Sequence, residues 1–171
     1  MRAATIATAL DITLRVDPIT DYGLSSLPPR GMCSGRQSDD WIRSPVVTDR
    51  PVYIAFEGAE GCGKSTQAAR LAEAIGATLT RETGGTDIGA RLRELLHDTN
   101  VHNLDPRAEA LITAADRAQH IAEVVAPSLA AGRSVVSDRS VYSSLAYQGY
   151  GRELDVDEIR LLNEWGTNGV W

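Results

Sequence analysis

The segment Gly58-Ala59-Glu60-Gly61-Cys62-Gly63-Lys64-Ser65 has the residue types and spacing of a phosphate-binding loop. It satisfies every fixed position of the pattern G-x-x-x-x-G-K-[ST]. The backbone N–H groups of such a loop hold phosphate oxygens, its lysine reaches the outer phosphates, and its serine hydroxyl is placed for Mg²⁺. The chain contains a single lysine, Lys64, against sixteen arginines. The pattern therefore predicts a site for the phosphates of a nucleotide.

A carboxylate and an arginine, Asp138 and Arg139, follow a second apolar segment, residues 134–137. In phosphate-loop proteins an acid at the end of a buried strand orients Mg²⁺, directly or through water. An arginine beside it supplies a fixed positive charge suited to phosphate. The alternatives for Asp138 are a helix cap or a solvated loop acid, and the functional interpretation is favoured.

These groups must be positioned by elements that alternate along the chain. The predicted strands are 52–56, 77–81 and 134–138. The predicted helices are 66–75, 87–96, a long helix from Pro106 that Pro127 kinks or divides before Gly132, and short helices over 143–147 and 157–165. Alternation of strands and helices predicts an α/β fold with a parallel sheet covered on both faces.

The expected site is the edge of this sheet at which the strands end. Ligands of parallel α/β sheets bind beyond the carboxyl ends of the strands. The phosphate loop, the turn over residues 81–86, and Asp138 with Arg139 all follow strands. The sequence therefore predicts that three separate pieces of chain converge on one rim.

Composition limits the classes of function. The 171 residues fit one domain, and a net charge of −6 without a basic stripe argues against nucleic acid as the main partner. The sequence contains no run of about 18 apolar residues, so it predicts no membrane span. The weak apolar run near the N-terminus is a poor secretory signal. Cys33 and Cys62 are too few for a disulfide framework or a zinc site, which favours a reduced cytosolic setting.

Residues 1–50 differ from the phosphate-loop domain predicted over residues 51–171. They carry six arginines, six aspartates and four prolines, and only Ile12–Val16 has the pattern of a strand. This composition predicts a mostly disordered or loosely docked extension. It is either a native extension or translation from a misassigned start, with the true start near Val46 or Val47; the second interpretation is favoured.

The two site arginines suggest the reaction. Arg117 belongs to the long helix, and the sequence alone is equally compatible with a solvated position and with a position at the rim. Glu109 and His120 are more typical of structural roles. Arg117 and Arg139 beside a phosphate loop predict two phosphate groups held face to face. This arrangement favours phosphoryl transfer to a second nucleotide over hydrolysis. The acceptor needs no strong base, because a monophosphate is largely dianionic near pH 7, its second pKa being about 6.

Five segments in order then resemble the bacterial thymidylate kinases, which are phosphate-loop nucleoside monophosphate kinases. They are residues 56–67, residues 80–86 with Arg93 after them, residues 115–120, residues 137–139 and residues 143–149. The resemblance covers about residues 52–166. It implies a three-layer α/β/α fold, transfer of the γ-phosphate of ATP to dTMP with Mg²⁺ for dTTP synthesis, and a cytoplasmic homodimer.

The resemblance also implies roles for individual residues. ATP would be held by Gly58, Gly61, Cys62, Gly63, Lys64, Ser65 and Thr66, with Ser65 and Asp138 toward Mg²⁺. Glu60 would face the 3′-hydroxyl of dTMP. Arg93, Arg117 and Arg139 would contact the phosphate or the base of dTMP. Ser144, Tyr147 and Gln148 would line the pocket for its thymidine. Lys64, Asp138 and Arg139 would be the catalytic residues.

Two departures from the family leave alternatives open. Thr113 stands where the family commonly has a phenylalanine that stacks on thymine, so another nucleoside monophosphate kinase remains an alternative. The family continues beyond the position of Trp171 into a strand, an arginine-bearing lid, and a last strand and helix. This predicts a C-terminally truncated chain with three of the usual five strands, and with the strand of residues 52–56 as an open apolar edge. An inactive nucleotide-binding fragment or pseudoenzyme is the other alternative.

Overall fold

The computed structural model of the chain describes residues 6–8, 12–17 and 50–170, the first two ranges as backbone only. Strands within these ranges form one sheet in the order β1-β2-β3-β5-β4. They are β1 (Ile6–Thr8), β2 (Ile12–Asp17), β3 (Tyr53–Glu57), β4 (Thr78–Arg81) and β5 (Val135–Asp138). β3, β5 and β4 are parallel, and this confirms the three predicted strands of a parallel sheet.

The helices follow the strands as the sequence predicts. They are α1 (Lys64–Ile75), α2 (Asp87–His97), α3 (Pro106–His120), α4 (Ala126–Ala130), α5 (Val141–Ser144) and α6 (Val156–Thr167). Asp105 accepts a hydrogen bond from the Arg107 N–H at the start of α3. A π-helical turn, Ile121–Val125, joins α3 to α4 directly before Pro127. Because proline cannot donate to the preceding turn, the widened turn keeps the helical path continuous there.

The core occupies both faces of the sheet. On one face Ile54, Phe56 and Val136 pack with Ala68 and Ala72 of α1. On the other face the buried residues are Tyr53, Val135, Ile121, Val125 and Leu129. Side chains alternate between faces along a strand, so the continuously apolar β3 contributes to both clusters. The three-layer α/β/α arrangement is confirmed.

The expectation that β3 is an open edge is wrong. β2 pairs antiparallel with β3 along its whole length, from Thr13 opposite Glu57 to Asp17 opposite Tyr53. β1 pairs antiparallel with β2 in turn. The apolar pattern of Ile12–Val16 therefore reflects a strand that supplies the hydrogen-bonding partner β3 would otherwise lack. The prediction for the rest of residues 1–49, disorder or loose docking, falls outside the described residues and stays a prediction.

Backbone hydrogen bonds extend the sheet beyond the strand ends and fix the rim. The Arg139 N–H donates to the Phe56 carbonyl at 2.9 Å, and the Glu82 N–H donates to the Asp138 carbonyl at 3.0 Å. The phosphate loop follows β3, the turn over residues 82–86 follows β4, and Arg139 follows β5. The predicted convergence on one rim is confirmed.

Candidate active site

The rim encloses a cavity of about 690 Å³, a size within the range of small-molecule sites. Its lining comes from the phosphate loop, the turn after β4, helices α2 and α3, and the segment after β5. The predicted site residues that line it are Glu60, Gly61, Lys64, Ser65, Arg93, Arg117, Asp138, Arg139, Ser144, Tyr147 and Gln148. Gly58, Cys62, Gly63 and Thr66 belong to the loop and the first turn of α1 but are not part of this lining.

The phosphate loop has the backbone shape its glycines predict. Gly61 and Gly63 adopt positive φ angles of 75° and 92°, which L-residues other than glycine rarely adopt. α1 begins immediately afterwards at Lys64, so the N–H groups of its first turn face the loop. The Lys64 ammonium donates to the Ala59 carbonyl at 2.8 Å, and the residue is 6% exposed. It therefore lies within the loop, where an outer phosphate of a nucleotide would meet it.

Ser65 and Asp138 meet directly, although 73 residues separate them. The Ser65 hydroxyl donates to Oδ2 of Asp138, and Oδ1 of Asp138 is buried without a hydrogen-bond partner among the described residues. Mg²⁺ takes oxygen ligands and usually keeps few protein ones beside phosphate oxygens and waters. One hydroxyl and one carboxylate with a spare oxygen fit that requirement. Within residues 50–170 no cluster of three or more acidic, histidine or cysteine side chains could hold a metal ion.

Arg139 is held over the cavity by the chain reversal after β5. Its φ angle is 79°, a backbone conformation that costs a non-glycine residue about 1–3 kcal/mol and is concentrated at functional sites. Nη1 donates to the Ser143 hydroxyl at 3.0 Å, and the guanidinium lies 5.3 Å from the centre of the Tyr147 ring. The ring and the hydroxyl therefore fix the direction of the arginine.

Glu57, at the end of β3, anchors the same segment, and sequence reasoning missed it. Its Oε1 accepts from the N–H and the hydroxyl of Ser140 at 2.7 and 3.0 Å. Its Oε2 accepts from the Ser143 hydroxyl at 2.6 Å. Burial raises the pKa of Glu57, and the hydrogen bonds from Ser143 and Ser140 oppose that rise. One carboxylate thus joins the strand before the phosphate loop to the residues that hold Arg139.

Arg117 lines the cavity, but most of its N–H groups donate hydrogen bonds to other protein groups. Nε donates to Oε2 of Glu82 at 2.7 Å, and Nη2 donates to the Ser140 carbonyl at 3.1 Å. Nη1 donates to the hydroxyl of Ser144 and to Oδ1 of Asn163. A guanidinium has five N–H donors, so these four bonds leave one on Nη2 for a ligand.

Glu82 is buried between Arg117 and His120. Its Oε1 lies 2.8 Å from Nδ1 of His120, whose Nε2 lies 2.7 Å from the Thr80 hydroxyl. Burial raises the pKa of Glu82, but attraction to Arg117 and the hydrogen bond from His120 outweigh burial, and the net shift is downward. Since an ionised carboxylate only accepts hydrogen bonds, Nδ1 of His120 carries the proton. His120 is thus a buried residue with both ring nitrogens bonded, as the sequence suggested.

Arg93 reaches the cavity from α2. Its Nη1 donates to the Thr83 carbonyl and hydroxyl at 3.3 and 3.2 Å. Gly84 has a φ of 90°, and a Cβ there would come within 2.8 Å of Arg93 Cδ, so glycine is needed for the arginine to pack against the turn. Asp116 holds the other side of this turn, because its Oδ1 accepts from the Gly84 N–H at 2.9 Å.

One part of the cavity wall, formed by residues of α3 and of the segment after α5, is polar. Thr113 is buried, and its hydroxyl donates to the Glu109 carbonyl of the preceding turn. A threonine has no aromatic ring that could stack on a base. The Gln148 amide donates to Glu109 Oε1 at 2.9 Å, and Arg152 pairs with Glu109 Oε2 at 2.7 Å. Glu109 and Arg152 therefore form part of the site wall, a position their sequence context did not reveal.

The charges of the cavity leave spare positive charge. Arg117 is paired with Glu82, and Arg152 is paired with Glu109. Three further lining cations have no ion pair within the described part of the chain: Lys64, Arg93 and Arg139. Glu60 and Asp138 are the carboxylates that remain. The arrangement is suited to a ligand with several phosphate charges.

Comparison with known proteins agrees with this geometry. The family model described as thymidylate kinase matches residues 56–166. The chain belongs to the thymidylate kinase family. The matched range contains every predicted site residue. It also contains the residues the structure added, Glu57, Glu82, Glu109 and Arg152.

Named relatives and a solved structure support the membership. The thymidylate kinase of Halothermothrix orenii is 46% identical over 127 residues, which are 71% of this chain and 61% of the relative. That of Bifidobacterium longum is 50% identical over 127 residues, with 70% and 62% covered. The crystal structure of thymidylate kinase from Ehrlichia chaffeensis superimposes with a TM-score of 0.62 at 38% identity, covering 66% of this chain and 67% of that one. The chain spans about three fifths of the length of the curated relatives it matches.

Some of the missed site residues had a sequence signal. Glu82 follows β4 directly, and Asp138 ends β5. A carboxylate at the end of a strand is the pattern that identified Asp138, and it would also have identified Glu82. Glu57 likewise ends β3. Asn163 and Arg152 had no such signal, because their partners Arg117 and Glu109 lie on a distant helix.

Proposed function

We propose that this chain binds ATP at the phosphate loop and dTMP in the cavity, and transfers the γ-phosphate of ATP to dTMP to give ADP and dTDP. The observation that carries the proposal is a set of three cations without an ion pair among the described residues, Lys64, Arg93 and Arg139, all of which line one cavity at the phosphate loop. Two nucleotides bring phosphate groups from opposite sides, and spare positive charge is needed between them. Membership of the thymidylate kinase family supports this choice of donor and acceptor.

The cations and the fixed dipoles of the loop supply most of the proposed catalysis. Lys64 neutralises charge on the outer phosphates of ATP, and Arg139 holds the acceptor phosphate in line with them. The attacking oxygen belongs to a phosphate whose second pKa is about 6, so it is already anionic near neutral pH. Positioning and charge neutralisation then lower the barrier without a general base.

Mg²⁺ fits this proposal at Ser65 and Asp138. The Ser65 hydroxyl, in the first turn of α1, and Oδ1 of Asp138, which has no hydrogen-bond partner among the described residues, are oxygen ligands available beside the expected phosphates. When bound, the ion withdraws electron density from the phosphate oxygens and neutralises their developing charge. Asp138 would then exchange its contact with Ser65 for the ion or its water.

The acceptor pocket accounts for the remaining site residues. Glu60 lies beside Gly61 on the cavity wall and faces the 3′-hydroxyl of dTMP. The base extends toward Gln148 and Ser144, with one free N–H of Arg117 within the same wall. Tyr147 stays half exposed and supports Arg139.

A second acceptor is favoured by one observation, the nature of Thr113. The residue is buried at the base end of the cavity and its hydroxyl is bonded to its own helix, so no aromatic ring covers the base from this position. Another pyrimidine monophosphate would meet the same wall. Nucleotide binding without transfer is the other alternative.

The proposal includes a homodimer in the cytoplasm. α3 and α6 pack together and expose Leu111, Leu161 and Trp165, the last of which is 84% exposed as a residue. Apolar side chains of this size on adjacent helices suit a contact with a second copy. Trp165→Ser is expected to shift the sedimentation coefficient from dimer to monomer, and an unchanged coefficient would contradict the proposed surface. Among the described residues, no helix combines the length and apolarity needed to cross a bilayer.

The proposed reaction is tested by chromatography of products from ATP with a panel of acceptors. Formation of dTDP from dTMP at a rate well above the rates with dUMP, CMP and AMP is expected. A preference for another acceptor would replace dTMP by that nucleotide. Binding of ATP without product from any acceptor would support the module without transfer activity.

A further inference from the structure

Three hydrogen-bonded polar side chains, those of Gln148, Glu109 and Arg152, form one part of the cavity wall. Nε2 of Gln148 donates to Glu109 Oε1 at 2.9 Å. Nε and Nη2 of Arg152 donate to Glu109 Oε2 at 3.1 and 2.7 Å. Gln148 is 7% exposed and lines the cavity, so its amide is held between the protein and the space for the base.

The carboxylate of Glu109 determines which end of the amide faces it. Burial raises the pKa of Glu109, but hydrogen bonds from Arg152 and Gln148 outweigh that effect and the net shift is downward. Glu109 is therefore ionised near neutral pH and can only accept hydrogen bonds. An amide that flipped would place two oxygens against each other. Nε2 must face Glu109, and Oε1 is the end that remains to accept a hydrogen bond from a ligand.

We propose that Glu109 is a positioning residue for base selection, because it fixes the Gln148 amide with its carbonyl available to the base. The inference rests on the proposed function and specifies how its acceptor is chosen. The pairing edge of thymine or uracil carries an N3–H donor between two carbonyls. The same edge of cytosine carries an unprotonated N3 beside an amino group. A fixed carbonyl matches the N3–H and opposes the lone pair of cytosine N3.

The threonine at position 113 increases the importance of the Gln148 amide for base selection. With its hydroxyl turned to the Glu109 backbone carbonyl, it contributes contact area and no base-specific hydrogen bond. Selection between pyrimidines of equal size then depends on hydrogen-bond direction, and Glu109 supports both the threonine and the glutamine.

The test measures dissociation constants of dTMP, dUMP and dCMP by calorimetry for the full chain and for Glu109→Gln. A glutamine at 109 can donate as well as accept, so the Gln148 amide becomes free to flip. The preference for dTMP over dCMP is expected to fall about tenfold, the effect of one hydrogen bond. The ratio of dTMP to dUMP is expected to stay constant, because both bases have the same N3–H.

Three further variants separate amide direction from general damage. Glu123→Gln is the matched control, because Glu123 accepts from Gln119 Nε2 at 2.8 Å in an exposed pair on the same helical segment; its preference should equal that of the parent. Arg152→Lys keeps a cation beside Glu109 and keeps the bond from Gln148, so the preference should be retained. Glu109→Asp keeps the charge but shortens the reach, and it should lose the preference even if Glu109→Gln does not fold.

Two results would overturn the inference. One is an equal loss of dTMP and dCMP affinity in Glu109→Gln and Glu109→Asp. The other is a fall of the preference in Arg152→Lys that matches the fall in Glu109→Gln. Failure of the proposed function is distinct, because it would appear in the parent chain as no preference for dTMP over dCMP.

Discussion

Glu82 and Arg117 form an ion pair with 2.7 Å between Oε2 and Nε, and their side chains are only 2% and 3% exposed. The pair joins the turn after β4 to α3. Through Ser140 and Asn163 the same guanidinium also holds the segment after β5 and α6. Arg117 is therefore a structural centre of the site as well as part of its wall.

Replacing Glu82 by glutamine is expected to lower the free energy of unfolding near pH 7 by about 3–5 kcal/mol, because Arg117 would remain buried without its counter-charge. The folded pKa of Glu82 lies below its ordinary value of 4.5, so the unfolded chain binds this proton more tightly. The stabilisation is complete above that ordinary value and is lost as pH falls through the folded pKa. Urea unfolding across the acid range should show the parent and Glu82→Gln converging. A difference independent of pH would contradict this account.

Glu57→Gln is expected to reduce turnover while leaving ATP binding within about twofold. A glutamine that keeps its oxygen on Ser140 turns its NH2 group, a donor, toward the Ser143 hydroxyl, which then loses the acceptor that Glu57 Oε2 provides. A buried donor left unpaired costs about 1–3 kcal/mol. Ser143 would then no longer be held in place, and Arg139 would lose the hydroxyl that orients its guanidinium. The check is kcat, with the ATP dissociation constant measured beside it. Glu94→Gln, at an exposed position of α2, is the control and should match the parent.

The contrast between Glu57 and the phosphate loop shows what the sequence could predict. The loop lies in one stretch of eight residues, and its glycines, lysine and serine are recognisable without knowing the rest of the fold. The function of Glu57 depends on Ser140 and Ser143, which are 83 and 86 residues away. The apolar run before Glu57 predicted the strand, but no local pattern predicted the partners of its last side chain.

Arg139→Ala is expected to raise the KM for dTMP by about 10–100-fold, the effect of removing a charge-assisted hydrogen bond to phosphate. The dissociation constant of ATP should change little, because Lys64 and the loop hold that nucleotide. Steady-state kinetics with dTMP varied is the measurement. Arg133→Ala, at an exposed arginine just before β5, should behave as the parent. An equal rise for both variants would mean that net charge alone attracts the acceptor.

The edge of the sheet gives a prediction on stability and association. β2 pairs with β3 through residues 13–17, and adjacent residues of a strand direct their N–H groups to opposite neighbours. Proline at both Leu14 and Arg15 therefore removes a donor from the side that faces β3. Amide hydrogen exchange of β3 should accelerate and light scattering should increase, because an apolar edge becomes available. Unchanged exchange at Ala55 and Phe56 would contradict the pairing.

The open edge predicted for β3 was wrong for an identifiable reason. The prediction considered only strands of the parallel sheet, while the partner comes from a segment whose composition favoured disorder. Residues 12–16 did show a strand pattern, but a strand pattern alone does not reveal its neighbour. Arg117 illustrates the same limit, since its sequence position allowed a role at the rim but not the four partners that bind it.

The central claim is tested most directly by the initial rate of ADP formation from ATP and Mg²⁺, with and without dTMP, for the parent chain and Lys64→Ala. The account predicts ADP formation that requires dTMP, and a loss of at least about 100-fold in Lys64→Ala, whose ammonium can no longer neutralise the transferred phosphate. ADP formation that does not depend on dTMP, or an equal rate in Lys64→Ala, would contradict phosphoryl transfer at this site.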